Sequence, residues 1–471
     1  MKSYSPELAY FCLFLVSLWF SGTLFEELLQ CRLVGELLIG IVFGNVNSLL
    51  PHDKSAIILA GEVGVLGLVF EAGLGTNLGR ILKAGPRSAL VAFVGTVTPL
   101  ATGFGFIYAI VHLPALQGSI SDTFSINIVT EALASGAALA STSIACAVTL
   151  MKQRGILETQ VGTLVTTAAM IDDVASLILL SIVSRFGNPE PGEGTKPDIG
   201  PMTIIQPIVA SLGVILFGFI ACVVKAKYYD SSSSEQAIEL STGQESGQAH
   251  EQDDPEANPE GYEGASQTNE AKKAKPRCST AWNRIEQIYN TFAPTIKLAA
   301  MIISSLGFSF LTEYLGSSRL LGIFVAGVFF SSFCSLRLLY DENVAHNLQP
   351  AMSAIFFASI GFAIPLSKIL DPALFGWGIV YTVIASFSKL ITAFLVPSST
   401  QTSSDGIKLR SNDRWLVGTA MIARGELGLL MVQQALLQGI MGQPVMIVTT
   451  WSIVLSTLVG IGAMGFVMNR A

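Results

Sequence analysis

The sequence predicts an all-α membrane protein of about thirteen transmembrane helices, arranged as an inverted repeat. Three observations carry that prediction. The chain of 471 residues is 51% hydrophobic and only 13% charged, with a mean hydropathy of +0.57, too apolar for an ordinary soluble globule. Apolar runs of at least about 17 residues, enough to cross a bilayer as a helix, recur along most of its length. Segments of its two halves also repeat one another at a nearly constant spacing.

In chain order the runs cover 8–24, 33–50, 56–75, 87–111, 128–150, 161–184, 203–224, 294–314, 320–338, 350–366, 372–397, 413–438 and 446–468. The first follows a weakly basic start and has no small-residue cleavage site, so it is expected to be a retained helix and not a signal peptide. An odd number of spans puts the termini on opposite sides. Placing the C-terminus inside gathers Arg32, Arg80, Lys83, Arg87, Lys152, Arg154, Arg337, Lys408, Arg410, Arg414 and Arg470 on the cytoplasmic side. The other side keeps only Lys2, Lys54, Arg185, Lys196, Arg319 and Lys368, so the positive-inside rule favours an outer N-terminus.

Between 225 and 293 the chain turns polar, with stretches such as SSSSEQ, EQDDPEANPEGYEG and AKKAKPR. Such a segment buries too little apolar surface to fold alone and is expected to be a disordered cytoplasmic loop. Its distal part has Trp282, Ile285, Ile288 and Tyr289 at helical spacing, the pattern of an interfacial helix or a lead-in to the next span. The loop divides the chain into a membrane half 1–224 and a membrane half 294–471. Arg32-Leu-Val-Gly-Glu-Leu-Leu-Ile-Gly-Ile-Val-Phe43 matches Arg319-Leu-Leu-Gly-Ile-Phe-Val-Ala-Gly-Val-Phe-Phe330 in Arg, Leu, both glycines and the final Phe, at an offset of 287. Phe70 and Gly73 match Phe357 and Gly361 at nearly the same offset. Each match is displaced by seven spans, and an odd displacement reverses membrane orientation, as in inverted-repeat transporters.

Charge inside the spans points to chemistry. Asp172 and Asp173 sit in the middle of the otherwise chargeless run Val161 to Ser184. Each ionised carboxylate there costs about 2.5–3.5 kcal/mol, so the pair needs compensation, protons or an ion. In the preceding span, Ser141, Thr142 and Ser143 place three hydroxyls where backbone freed by an unwound helix would need partners. In the second half, Arg424 and Glu426 flank the helix-weakening Gly425, and Lys389 lies too deep in its span to snorkel. A salt bridge to a carboxylate is expected of Lys389, and a structural charge network of Arg424 and Glu426. The six cysteines have no paired spacing and the four histidines are far apart, so neither a disulfide framework nor a resident metal centre is indicated. The net charge of −7 comes largely from the polar loop and implies no nucleic-acid partner.

These residues carry a resemblance. Gly35-Glu36 with Gly40, Phe70-Glu-Ala-Gly-Leu74, Ser141-Thr-Ser143, Asp172-Asp173, Phe356 to Gly361, Lys389 and Ala423-Arg-Gly-Glu426 follow one another as in the monovalent cation:proton antiporters, and the whole resembles their electrogenic two-aspartate branch. The resemblance implies an antiporter fold with two crossed discontinuous helices, an unwound segment at Ala140 to Ile144, Asp173 as ion ligand and a salt bridge from Asp172 to Lys389. It also implies a homodimer in the bilayer. The chain departs from the common pattern at Gly75, where many relatives have an acid, and carries Glu71 inside the span instead.

The expected activity is secondary active exchange of sodium or another alkali cation for protons, with Asp172, Asp173 and the three hydroxyls at the site. No enzyme and no cofactor are expected. Adjacent carboxylates titrate as a coupled pair, since the first charge disfavours the second, and a cation competes with protons for the same oxygens. A potassium efflux system or cation channel of the same fold class is the first alternative. With Ala471 just past the last span, the cytosolic nucleotide-binding domain usual in such relatives is not expected. A non-transporting membrane sensor is the second, and buried charges of both signs argue against it.

Overall fold

The computed structural model describes residues 5–46, 55–76, 86–112, 128–157, 159–186, 205–224, 294–369, 371–396 and 413–469. The 225–293 segment, with its expected interfacial helix, lies outside the described residues. Among the described residues the only regular secondary structure is helical. The principal helices are α1 (Ser5–Leu29), α2 (Arg32–Asn45), α3 (Ser55–Gly75), α4 (Pro86–His112), α5 (Ile128–Ala140), α6 (Ile144–Gln153), α7 (Gln160–Phe186) and α8 (Ile205–Val224). After the loop come α9 (Pro294–Tyr314), α10 (Arg319–Ser331), α11 (Cys334–Tyr340), α12 (Gln349–Phe362), α13 (Pro372–Leu390), α14 (Asp413–Ile422), α15 (Glu426–Leu437) and α16 (Gln443–Asn469). Nine segments among the described residues are long and apolar enough to cross a membrane. Their outer faces agree: Val16, Trp19 and Phe20 of α1 and Ile303 and Phe310 of α9 stand exposed, as lipid-facing side chains do.

The runs 320–338 and 372–397 end differently from their sequence pattern. The run 320–338 is not one helix: Ser332 N–H and Phe333 N–H bond to carbonyls three residues back, and this tightening closes α10 before α11 begins. The run 372–397 tightens likewise into a 3₁₀ turn at Ile391–Leu395, where the Thr392 hydroxyl donates to the Lys389 carbonyl at 2.7 Å.

The helices sort into two packed groups that do not follow the linear halves. One group holds α1, α2, α3, α9, α10 and α12; the other holds α4, α5, α7 and α13 to α16. Inside the first group the repeat becomes visible as a symmetric pair of contacts. Exchanging α2 with α10 and α3 with α12 carries the Gly40–Gly361 contact onto the Gly327–Gly73 contact, and both are backbone-close. A Cβ on Gly361 would lie 2.6 Å from Ile41 N and 2.7 Å from Gly40 C, and one on Gly327 would lie 3.0 Å from Gly73 Cα. Glycine recurs at these four positions because a side chain would push the helices apart.

That close approach gives a stability test. Gly40→Val places its Cβ 2.2 Å from Ala358 O, and such overpacking typically costs about 1–3 kcal/mol. Gly75→Ala, which meets nothing within 4 Å, is expected to melt like the parent protein. Equal melting temperatures for Gly40→Val and the parent in detergent would contradict the contact.

Candidate functional site

Two broken helices cross inside the second group. α5 stops at Ala140 and α6 resumes at Ile144; α14 stops at Ile422 and α15 resumes at Glu426. The extended stretches touch, Ser143 N–H donating to the Ala423 carbonyl at 2.8 Å. Consecutive hydroxyl residues offer backbone groups alternatives to the helix ladder, and glycine lowers helix propensity, so both breaks fall where the local sequence permits them. Gly425 is also required by space: a Cβ there would lie 2.7 Å from the Ser143 Cβ. α16 backs the crossing, with the Thr457 hydroxyl accepting from Arg424 N–H at 3.2 Å and donating to the Arg424 carbonyl.

Beside the crossing, the two aspartates of α7 have opposite surroundings. Asp172 is completely buried. Its Oδ1 accepts from the Thr96 hydroxyl at 2.5 Å and its Oδ2 from Thr142 at 2.5 Å, and the Lys389 ammonium stands 3.0 Å from Oδ2. Lys389 spends its remaining donors on Ala140 O at 2.5 Å and Thr142 Oγ1 at 2.7 Å. The ammonium thus neutralises Asp172 and also caps the carbonyl end of the half-helix α5, where the dipole is negative. Asp173 is 8% exposed. Among the described residues no hydrogen bond or ion pair reaches its carboxylate, although Asp172, Glu426 and Lys389 are all close enough to interact with it through space.

The remaining sequence-predicted residues divide. Thr142 joins Asp172 to Lys389, whereas the Ser141 hydroxyl bonds to Ala138 O at 3.2 Å, within its own helix. Ser143 contributes its backbone to the crossing, and its hydroxyl lies beside Glu426. Arg424 is fully buried, but among the described residues it has no carboxylate partner: its Nη2 donates to Ala385 O at 2.7 Å, and Nε and Nη1 have no partner. Glu426 opens α15, where the positive end of the helix dipole favours an acid. Arg424 and Glu426 therefore form no ion pair with each other, and Glu71 forms none among the described residues.

Glu71 faces a cavity of about 370 Å³ between the two helix groups. Glu26, Arg32, Glu36, Glu71 and Gln349 line it on one side and Glu426 at the crossing on the other. Four carboxylates against one guanidinium make it attractive to cations. Arg32 Nε stands 3.4 Å from the buried Glu36 and 3.7 Å from Glu26. Sequence reasoning missed Thr96 and the cavity role of Glu36. A threonine in an apolar run is unremarkable, and nothing near position 96 ties it to position 172.

Known proteins share this architecture. The profile of the transmembrane sodium/hydrogen exchanger family matches residues 13–238 and 282–469. An Na(+)/H(+) antiporter of Enterococcus hirae is 24% identical over 458 residues, covering 95% of this chain and 95% of the relative. The Na(+)/H(+)-K(+) antiporter GerN of Bacillus cereus is 23% identical, covering 95% and 92%. The structure of the sodium proton antiporter MjNhaP1 from Methanocaldococcus jannaschii at pH 8 superposes with a TM-score of 0.58 at 16% identity, over 97% of this chain and 98% of that one, and so shares the fold. With the family profile extending through both membrane halves, the chain belongs to the transmembrane sodium/hydrogen exchanger family.

Proposed function

We propose that the protein is a secondary active antiporter of the two-aspartate branch, exchanging sodium or another alkali cation for protons by alternating access. The observation that carries this reading is the contrast between the adjacent carboxylates. Asp172 has both oxygens occupied by fixed donors, while Asp173 is next to it, buried, and without a donor among the described residues. A buried carboxylate without a protein partner is costly unless it holds a proton or a cation. Asp173 is thus the group at which the two compete, with Thr142 and Ser143 at the rim and Asp172 held in place by Lys389. The named activities of the Enterococcus and Bacillus relatives support the same exchange.

The acidic cavity is the access path in this state, leading cations toward Glu426 and on to Asp173. It lies at the membrane side that holds Arg32, which the positive-inside rule makes cytoplasmic. The proposal accordingly includes thirteen crossings, an outer N-terminus, a cytoplasmic 225–293 loop between membrane halves 1–224 and 294–471, and a homodimer. Movement of the crossing group against the other would expose the site to the opposite side.

The test is proton flux in proteoliposomes under imposed sodium, lithium and potassium gradients. Proton movement opposite to at least one cation is expected, and the set of active cations defines selectivity. Cation conduction with no obligatory proton movement would replace this reading with a channel.

A further inference from the structure

The exchange reading uses one end of the broken helix α5; its other end carries a second buried acid. Glu131, in the first turn of α5, is 2% exposed. Its Oε1 accepts from Gly442 N–H at 2.7 Å, just ahead of α16, and its Oε2 has no partner among the described residues. One turn deeper, Ser135 Oγ lies 2.8 Å from Tyr381 Oη and 2.7 Å from Thr449 Oγ1. All three are fully buried. Arg424 Nη2 bonds to Ala385 O, one turn along α13 from Tyr381; among the described residues its Nε and Nη1 have no partner, and neither has the Ser452 hydroxyl, one turn from Thr449 on α16.

Counting protons orients this chain. A hydroxyl has one hydrogen to give. Thr449 gives its hydrogen to Val445 O at 2.7 Å. Ser135 must then donate to Thr449 and Tyr381 to Ser135, which leaves Tyr381 Oη free to accept. Unsatisfied donors, the two guanidinium nitrogens, stand at the aspartate end; an unsatisfied acceptor, Glu131 Oε2, stands at the other. Buried polar atoms left in this way are ordinarily satisfied by ordered water, and the roughly 6 Å helical rise between Ser135 and Glu131 is one water's span.

We propose that the seam between α5, α13 and α16 is a hydrated proton path from the aspartate pair, with Glu131 as its terminal acceptor. Each hop forms one O–H bond and breaks one: as Ser135 takes the Tyr381 hydrogen it turns its own from Thr449 to the bridging water, and that water gives up a proton that converts the Glu131 carboxylate to the neutral acid. The path is a dead end here, since Glu131 is buried while the acidic cavity is open on the other side. Coupling requires this, because a path open at both ends would pass protons without a cation. Of the charges on the elements around Glu131, Lys368, just ahead of α13, donates to Gln443 Oε1 at 3.1 Å, beside the Gly442 that holds Glu131, and α13 itself carries Lys389 about two turns beyond Tyr381. α16 carries none; α15 has Glu426 at its far end; α7 has Asp172 and Asp173 at mid-helix and Arg185 against Gly316. α4 has Arg87 at its far end and His112 as its last residue.

The proposal rests on the exchange reading and is tested with Glu131→Gln and Tyr381→Phe in proteoliposomes. Both variants are expected to keep the parent's apparent sodium affinity while exchange slows at least about tenfold, as when a positioned proton acceptor is lost. For Glu131→Gln the rate should also lose its dependence on the pH of the Glu131-side compartment, and Glu131→Asp should restore part of both. A purely structural role would lower the melting temperature without changing that pH profile. Parent-like rates and profiles in both variants would overturn the path but leave the antiporter intact, whereas no exchange by the parent protein would overturn both. Should Glu131→Gln not fold, water density at Arg424 Nε and Nη1 in a high-resolution structure of the parent decides: ordered water supports the path, and a dry seam removes it.

Discussion

Asp173→Asn is expected to reduce cation-dependent proton exchange to the level of protein-free liposomes. The amide keeps the size and planarity of the carboxylate but has no proton to give up and no charge to offer a cation. Stability should hold or rise, because the parent buries a carboxylate at mid-membrane that no described side chain compensates directly. Asp172→Asn is the informative contrast. It leaves the Lys389 ammonium buried without its carboxylate, so it should melt earlier than the parent even though the change is chemically identical. Flux assays paired with thermal unfolding of both variants check this, and full exchange by a folded Asp173→Asn protein would remove the central assignment.

Much of this arrangement could be read from the chain because the membrane makes exceptions visible. A carboxylate pair in a chargeless run, a lysine too deep to snorkel and three consecutive hydroxyls inside a span each violate what lipid tolerates. Each of them lies at or beside the crossing. The repeat was readable for a different reason. Gly40, Gly73, Gly327 and Gly361 sit where backbones nearly touch, and close approach restricts residue choice enough to leave a pattern.

What could not be read depends on partners distant in the chain. Thr96 is separated from Asp172 by 76 positions, and its hydroxyl also lies 2.9 Å from Ala92 O, the local acceptor that membrane threonines commonly use. Arg424 suggested a charge network, yet the one hydrogen bond its guanidinium makes among the described residues is to the Ala385 carbonyl, and a backbone acceptor leaves no trace in the sequence. Glu71 stood out as an acid inside a span, but only the packing of α3 against α12 shows that it faces a water-accessible cavity. The sorting of helices into two groups drawn from both halves is equally invisible to local pattern, since the contacts that define it join segments hundreds of residues apart.

Lys389→Ala is expected to have the largest effect on stability. It removes the ammonium from Asp172 and leaves Ala140 O, at the carbonyl end of α5, without the donor that neutralises the helix dipole. Breaking a buried pair from one side typically costs about 3–5 kcal/mol, because the surviving charge stays buried and uncompensated. The lower end is expected here, since the Thr96 and Thr142 hydroxyls still donate to Asp172. A double-mutant cycle separates the ion pair from the cap. Adding Asp172→Asn to Lys389→Ala should recover the part of the loss that is uncompensated charge, and only the loss of the α5 cap should remain. A melting temperature unchanged by Lys389→Ala would mean that Asp172 does not depend on the lysine. Fixed compensation of Asp172 would then no longer support the proposal that Asp173 alone exchanges its occupant.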